Sequence, residues 1–221
     1  HEDYFYDTVT IFPPPNVSFY ANPECLYDTT RFITDIFPSD TASNTLSCGI
    51  TIPVPAGGEI DSIHWSMDGV IDGTYVNGTT ADSLNAEFIF FDCGDHNISL
   101  TVFDKNGCDS TYTSTITIYE LPEAVFTAPA ICEGNATCID DMSTYNNTNG
   151  CYGAPINSWE YIITDDSTGL IIDTLQFNTD DDIDADSCYL FTPSCDTTVD
   201  FFQYTIELTV IDNNNCIAST T

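Results

Sequence analysis

Basic side chains are almost missing from this sequence. Arg31 and Lys105 stand alone against 35 Asp and Glu over 221 residues, a formal net charge of −33. A surface of that sign repels nucleic acid and anionic lipid, and no nucleic-acid partner is expected. It also opposes compaction by self-repulsion unless salt or bound cations screen it, so a divalent cation, Ca2+ first, is the natural ion to look for. Long apolar runs are missing too: the longest, such as Phe88 to Phe91, fall far short of the roughly 20 residues a membrane helix needs, and no bilayer span is expected.

Histidine is equally scarce. His1, His64 and His96 are scattered, and HExxH, GxSxG, a phosphate-binding loop and a dinucleotide-binding glycine pattern are all absent. His64, beside Trp65, reads as a solvent-facing strand residue rather than a base. Paired carboxylates are unavoidable at this acidity and identify no glycosidase site. No enzyme is expected. No segment carries a sustained 3.6-residue apolar period, so helices should be few and short. The start at His1 lacks the basic segment and apolar core of a secretion signal, and the sequence reads as a processed protein or an interior piece of a longer one.

What is present is a fold-forming composition, 42% hydrophobic and 13% aromatic, and an internal repeat. The run Ile98 to Phe126, ISLTVFDKNGCDSTYTSTITIYELPEAVF, recurs in two halves. IELTVIDNNNC, Ile206 to Cys216, repeats its first half at an offset of 108, and TVTIFPPPNVSF, Thr8 to Phe19, repeats its second half at an offset of 107. A fixed period makes the chain an array of similar units. Residues 1–13 read as an orphan terminal strand, with Tyr4, Phe5, Tyr6, Val9, Ile11 and Phe12 as its apolar members, running into a proline linker. Residues 14–121 form a first domain and 122–221 a second that lacks most of its last strand.

Both domains read as all-β. NVSFYANPEC and PEAVFTAPAIC open them, EIDSIHWSM alternates as a half-buried middle strand, and SWEYIIT answers it with Trp159 in the place of Trp65. The turn DKNG, and its counterpart at Asn213 to Asn215, connects the closing hairpin of each domain.

Ten cysteines without a CxxC pair or a Cys/His cluster indicate an oxidising compartment. Near-equal spacing in the two domains favours Cys25 with Cys108 and Cys132 with Cys216, each stabilising by roughly 4 kcal/mol in the chain-entropy model. Cys48 with Cys93 and Cys151 with Cys195 come next, leaving Cys138 with Cys188; other connectivities remain open. N-glycosylation acceptor patterns occur at Asn16, Asn77, Asn97, Asn135 and Asn146, and several Asp-Thr/Ser-apolar triplets look like the O-glycosylation acceptor of bacterial envelope proteins. The densest acidic run alternates Asp180, Asp182, Asp184 and Asp186. It is either a solvated acidic loop or a Ca2+ site, although the helical calcium-loop pattern is not met, since Ala185 and Phe191 fall where a glycine and a glutamate belong. Asp140 with Asp141 and Asp165 with Asp166 are lesser candidates.

The order of elements, P-x-x-x-F, a cysteine, a middle-strand tryptophan, then YTIELTVIDNNNC and a Thr-rich strand, resembles the PKD-like immunoglobulin-type repeats of large bacterial surface proteins. Trp65-Ser66-Met67-Asp68-Gly69 keeps a fragment of the W-x-F-G-D-G run those repeats carry, and Trp159-Glu160-Tyr161 keeps less. The resemblance implies tandem seven-strand sandwiches of two antiparallel sheets, found in secreted adhesins, filaments and accessory regions of extracellular hydrolases. The expected function is a structural subunit or repeat segment of an extracellular filament or adhesin, whose partners are further copies of itself or neighbouring repeats. In its sharper form, the strand 4–12 of one copy is donated to the 122–221 domain of the next. A calcium- or carbohydrate-binding accessory module, with surface glycans as partners, is the alternative.

Overall fold

The computed structural model describes residues 9–37, 43–45, 51–53, 58–68, 70, 73–76, 79–130, 132, 135–147, 150–178, 187–191 and 203–221. The strands of the first repeat are β1 (Asn16–Tyr20), β2 (Glu24–Cys25), β3 (Thr29–Arg31), β4 (Ile33–Phe37), β5 (Ser43–Thr45), β6 (Thr51–Pro53), β7 (Ile60–Asp68), β8 (Gly73–Tyr75), β9 (Glu87–Phe90), β10 (Gly94–Asp104) and β11 (Asp109–Tyr119). Those of the second are β12 (Phe126–Thr127), β13 (Ala136–Asp141), β14 (Ile156–Asp165), β15 (Leu170–Asn178), β16 (Ser187–Leu190), β17 (Tyr204–Asp212) and β18 (Ile217–Thr220). Among the described residues there is no helix, and so none long and apolar enough to cross a membrane. The protein is all-β.

Two compact units form: His1–Pro23 with Tyr27–Thr117, and Glu24–Leu26 with Ile118–Thr221. The tripeptide Glu24–Leu26 belongs to the first repeat by sequence and to the second unit by structure.

In the first unit β10 sets the pattern. His96, Ile98, Leu100, Val102 and Asp104 are buried, while Asp95, Asn97 and Phe103 between them face solvent, the two-residue period of a strand with one face in a core. It is hydrogen-bonded to β7 on one side and β11 on the other. Trp65 lies opposite Leu100, 1% exposed, with its indole donating to the Ser83 carbonyl at 2.8 Å. Phe19 of β1 and Phe32 close on its ring, with centroids 4.9 and 5.1 Å away. Remaining pairs are β1 with β4, β5 with β6, and β3 and β8 on either side of β9.

The second unit is a sandwich of two sheets, β12-β13-β16 and β15-β14-β17-β18, with antiparallel neighbours throughout. Ile139 from the first sheet meets Ile156, Tyr161, Leu208 and Val210 from the second, and Phe126, Trp159, Leu175 and Phe177 pack around them. Here the expected equivalence of the tryptophans is corrected. Trp65 pairs with Leu100, and the residue that pairs with Leu208, one period later, is Tyr161. Tyr161 is fully buried and takes the core position, whereas Trp159, two residues earlier, is half-buried and donates to the Asp141 carboxylate at 2.9 Å. Residues i and i+2 share a strand face, so alternation alone cannot separate the two.

Of the expected terminal strand 4–12, residues 4–8 lie outside the described residues. Val9–Phe12 lie in no strand. Their repeat counterpart, the end of β11, is held in a ladder by β2; a strand without a ladder partner leaves its backbone groups to water.

Candidate assembly site at the repeat junction

The repeated motif builds a clamp. In Asp104-Lys105-Asn106-Gly107-Cys108, the buried Asp104 Oδ1 accepts the amides of Asn106 and Cys108 at 2.9 and 2.8 Å, and Oδ2 accepts the Gly58 amide at 3.1 Å. In Asp212-Asn213-Asn214-Asn215-Cys216 the same three places are filled by Asn214 at 2.8 Å, Cys216 at 2.9 Å and Ala154 at 3.4 Å. Gly107 and Asn215 take the left-handed conformation, with φ of 82° and 65°. Both residue types tolerate it, which is why the turn closes the same way with either. A three-residue hairpin loop with its last residue left-handed results, and each clamp presents a cysteine at its end.

What that cysteine meets differs between the units. Cys216 is bonded to Cys25 (S–S 2.01 Å, Cα–Cα 5.6 Å), and Cys138 to Cys188, which sit directly opposite on β13 and β16. Cys108 and Cys132 carry free thiols, the first half-buried and the second exposed. The expected pairs Cys25 with Cys108 and Cys132 with Cys216 are therefore not formed. Register gives the reason. β2 runs parallel to the end of β11, Cys25 opposite Tyr119, while Cys108 precedes the start of that strand. Eleven residues at about 3.3 Å each separate Cys108 from Tyr119, against the roughly 4–7 Å that a disulfide allows between Cα atoms. Cys93 and Cys151 are each disulfide-bonded; Cys48 and Cys195, expected as their partners, lie outside the described residues.

Cys108 reproduces half of the bonded arrangement. Its Sγ lies 3.7 Å from the carbonyl of Phe12, the repeat counterpart of Tyr119. Burial first, then Asp104 and Asp109, push its thiol above the ordinary cysteine range. Beside it the apolar side chains stand in water: Val9 is 82% and Ile11 74% exposed, where their counterparts Ile116 and Ile118 are 7% and 0% exposed. Phe12 is partly exposed. Tyr4, Phe5 and Tyr6 lie outside the described residues.

The other expected site residues do not join this cluster. Asp180, Asp182, Asp184 and Asp186 lie outside the described residues, as does Asn77. Asn16, Asn97, Asn135 and Asn146 all occupy exposed positions, Asn97 accepting the Thr115 hydroxyl at 2.8 Å. Asp141 and Asp165 are occupied by protein donors. Asp141 accepts the Ser143 amide and hydroxyl as well as the Trp159 indole, and Asp165 accepts the Ser167 amide at 2.8 Å and hydroxyl at 2.6 Å. The Ser167 hydroxyl chiefly, against an opposing effect of burial, holds the Asp165 carboxyl below the usual aspartate range. Both cations of the chain are paired, Arg31 with Glu87 at 2.6 Å and Lys105 with Glu59 at 2.5 Å. His64 is exposed on β7, 3.5 Å from Asp82, while His96 is buried against Phe90.

No protein-family model and no curated protein matches the chain. Among solved structures, it is similar to the fibronectin(III)-like modules of Clostridium thermocellum CbhA at 10% identity, covering 93% of this chain and 90% of that one, with a TM-score of 0.39. It is similar to the D00-D0 domain of intimin at 10% identity over 94% and 96% of the two chains, TM-score 0.36. The Yersinia pseudotuberculosis adhesin InvE matches at 12% identity over 92% of this chain and 57% of its own, TM-score 0.27. Likeness at this level assigns no activity.

Proposed function

We propose that the chain is a structural segment of an extracellular bacterial filament or surface adhesin, joined end to end by the segment 4–12 of one copy completing the second unit of another. The observation that carries this reading is the contrast between Val9 and Ile11, largely in water, and Ile116 and Ile118, buried at the same places of the repeat. An apolar segment that a homologous unit buries is a segment that lacks its partner. The acceptor in this reading is the edge of the β15-β14-β17-β18 sheet, where the pairing of β18 with β17 covers Leu208–Ile211. An added strand supplies ladder hydrogen bonds, and alternate pockets supply specificity. Because donor and acceptor are different surfaces, the contact is head-to-tail and grows a fibre. The disulfides Cys25–Cys216 and Cys138–Cys188 favour an oxidising, extracellular setting.

Negative-stain electron microscopy of the purified chain, beside a variant lacking residues 1–12, tests this. Fibres from the intact chain and monomers from the truncated one are expected. Fibres that survive the deletion, or an intact chain that stays monomeric at high concentration, would overturn the reading.

A further inference from the structure

The two free thiols, Cys108 and Cys132, sit at positions of the repeat whose counterparts are joined to each other. Cys132 follows Cys25 by one period of 107, and Cys108 precedes Cys216 by one of 108. Cys25 leaves its own repeat to enter the second unit, where it bonds the cysteine at the end of the Asp212 clamp. The bond thus links the opening loop of one repeat to the closing hairpin of the following one. Continued by one period in either direction, the same rule gives Cys132 a partner in a following repeat and Cys108 a partner in a preceding one.

From this geometry we infer that Cys132 of one copy forms a disulfide with Cys108 of the next, a covalent latch on the head-to-tail junction. The inference rests on the assembly proposed above. Two observations besides the free thiols point to it. The clamp around Cys108 is already built, with Asp104 holding the Cys108 amide at 2.8 Å as Asp212 holds that of Cys216 at 2.9 Å. The thiol also lies against the carbonyl of Phe12, the counterpart of Tyr119, and Tyr119 is the residue that β2 places opposite Cys25. In the second unit a neighbouring loop bearing a cysteine lies beside that strand end; in the first unit its repeat counterpart, Ile11 and Phe12, is exposed. A segment docked there as β2 docks on Ile118–Tyr119 brings its cysteine to Cys108. Unpaired cysteines in a disulfide-bonded secreted chain are themselves a mark of intermolecular pairing.

The chemistry is thiol–disulfide exchange with a small-molecule disulfide such as oxidised glutathione. One cysteine thiolate attacks that disulfide and releases one glutathione thiol. The thiolate of the second cysteine attacks the resulting mixed disulfide, forming the Cys132–Cys108 bond and releasing the other. Two cysteine thiols are oxidised, one glutathione disulfide is reduced, and the two protons end on the two thiols released.

The test uses the full chain, Cys108→Ser, Cys132→Ser and an equimolar mixture of the two variants, each incubated with oxidised glutathione, run on non-reducing gels and mapped by peptide mass spectrometry. The intact chain is expected to give a ladder that reductant collapses, with Cys108–Cys132 as the linking peptide. Each serine variant alone is expected to give no ladder, and the mixture to stop at dimers. Symmetric Cys108–Cys108 or Cys132–Cys132 linkages in the majority, the outcome of random collision, would overturn the latch. Fibres in which both thiols stay unreacted would overturn the latch and leave strand donation standing, whereas monomers without fibres or cross-links would overturn both.

Discussion

Removing the Asp212 carboxylate should unfasten the closing hairpin of the second unit. Its side chain is fully buried, and Oδ1 takes two amides at 2.8 and 2.9 Å. Hydrogen bonds to a charged group contribute about 1.5–3 kcal/mol each, and a buried donor left without a partner costs about 1–3 kcal/mol. In Asp212→Ala the Cys216 amide stays buried and loses its acceptor, while the Asn214 amide, partly exposed, regains water. Relief from burying a charge offsets part of the loss. The net expectation is about 3 kcal/mol, which at a urea dependence of about 1–3 kcal/mol per molar moves the unfolding midpoint down by about 1–3 M. Asp212→Asn keeps the Oδ1 acceptor and turns an amide group toward Ala154, whose 3.4 Å contact is already long, so about 1 kcal/mol is expected there. Each unit contains one tryptophan, so the assay is fluorescence of Trp159 in a Trp65→Phe background under non-reducing conditions. A midpoint for Asp212→Ala within about 0.3 M of the parent would refute the clamp as a stabilising element.

Two further outcomes follow from the packing and the carboxylates. Tyr161→Ala should cost about 3–5 kcal/mol, the usual range for a large core aromatic, and Trp159→Ala clearly less, because Tyr161 and not Trp159 holds the core position opposite Leu208; equal costs in urea melts would restore the equivalence of the two tryptophans. The Asp165 carboxyl, held low mainly by Ser167, should titrate below the ordinary aspartate value in carboxyl-detected NMR, and Ser167→Ala should raise its midpoint. A depressed folded-state value means that this stabilisation is fully present above the unfolded-state value and is lost as pH falls through the folded one. Ser167→Ala should therefore be least harmful in acid, and a penalty that grows toward low pH would contradict the assignment.

Much of the architecture was legible in residues. The lack of a 3.6-residue apolar period and the β-branched and aromatic runs pointed to an all-β chain, and the DKNG turn and its counterpart at Asn213 to Asn215 fall where β10 meets β11 and β17 meets β18. Cysteine pairing was not legible, because a bond within a repeat and a bond across repeats have equally regular spacing. Only the register of β2 on Ile118–Tyr119 separates them, by placing Cys25 a whole strand away from Cys108. The shift from Trp159 to Tyr161 was hidden by the two-residue period, which keeps both on one face. β15 was missed altogether: Leu170, Ile171 and Ile172 are all exposed to some degree, so its apolar side chains do not mark a buried face. Val9–Phe12 read as part of a strand from their side chains, but a strand is defined by a partner, and among the described residues none is paired with them.

The central claim, that Val9–Phe12 becomes a paired strand when copies meet, is tested most directly by amide hydrogen exchange at Val9, Ile11 and Phe12 in dilute and in concentrated protein. Exchange should be fast in dilute solution and slow markedly on assembly, as expected for the ladder-paired counterparts at Ile116 and Ile118. Fast exchange in both, in a sample that has assembled, would contradict the account.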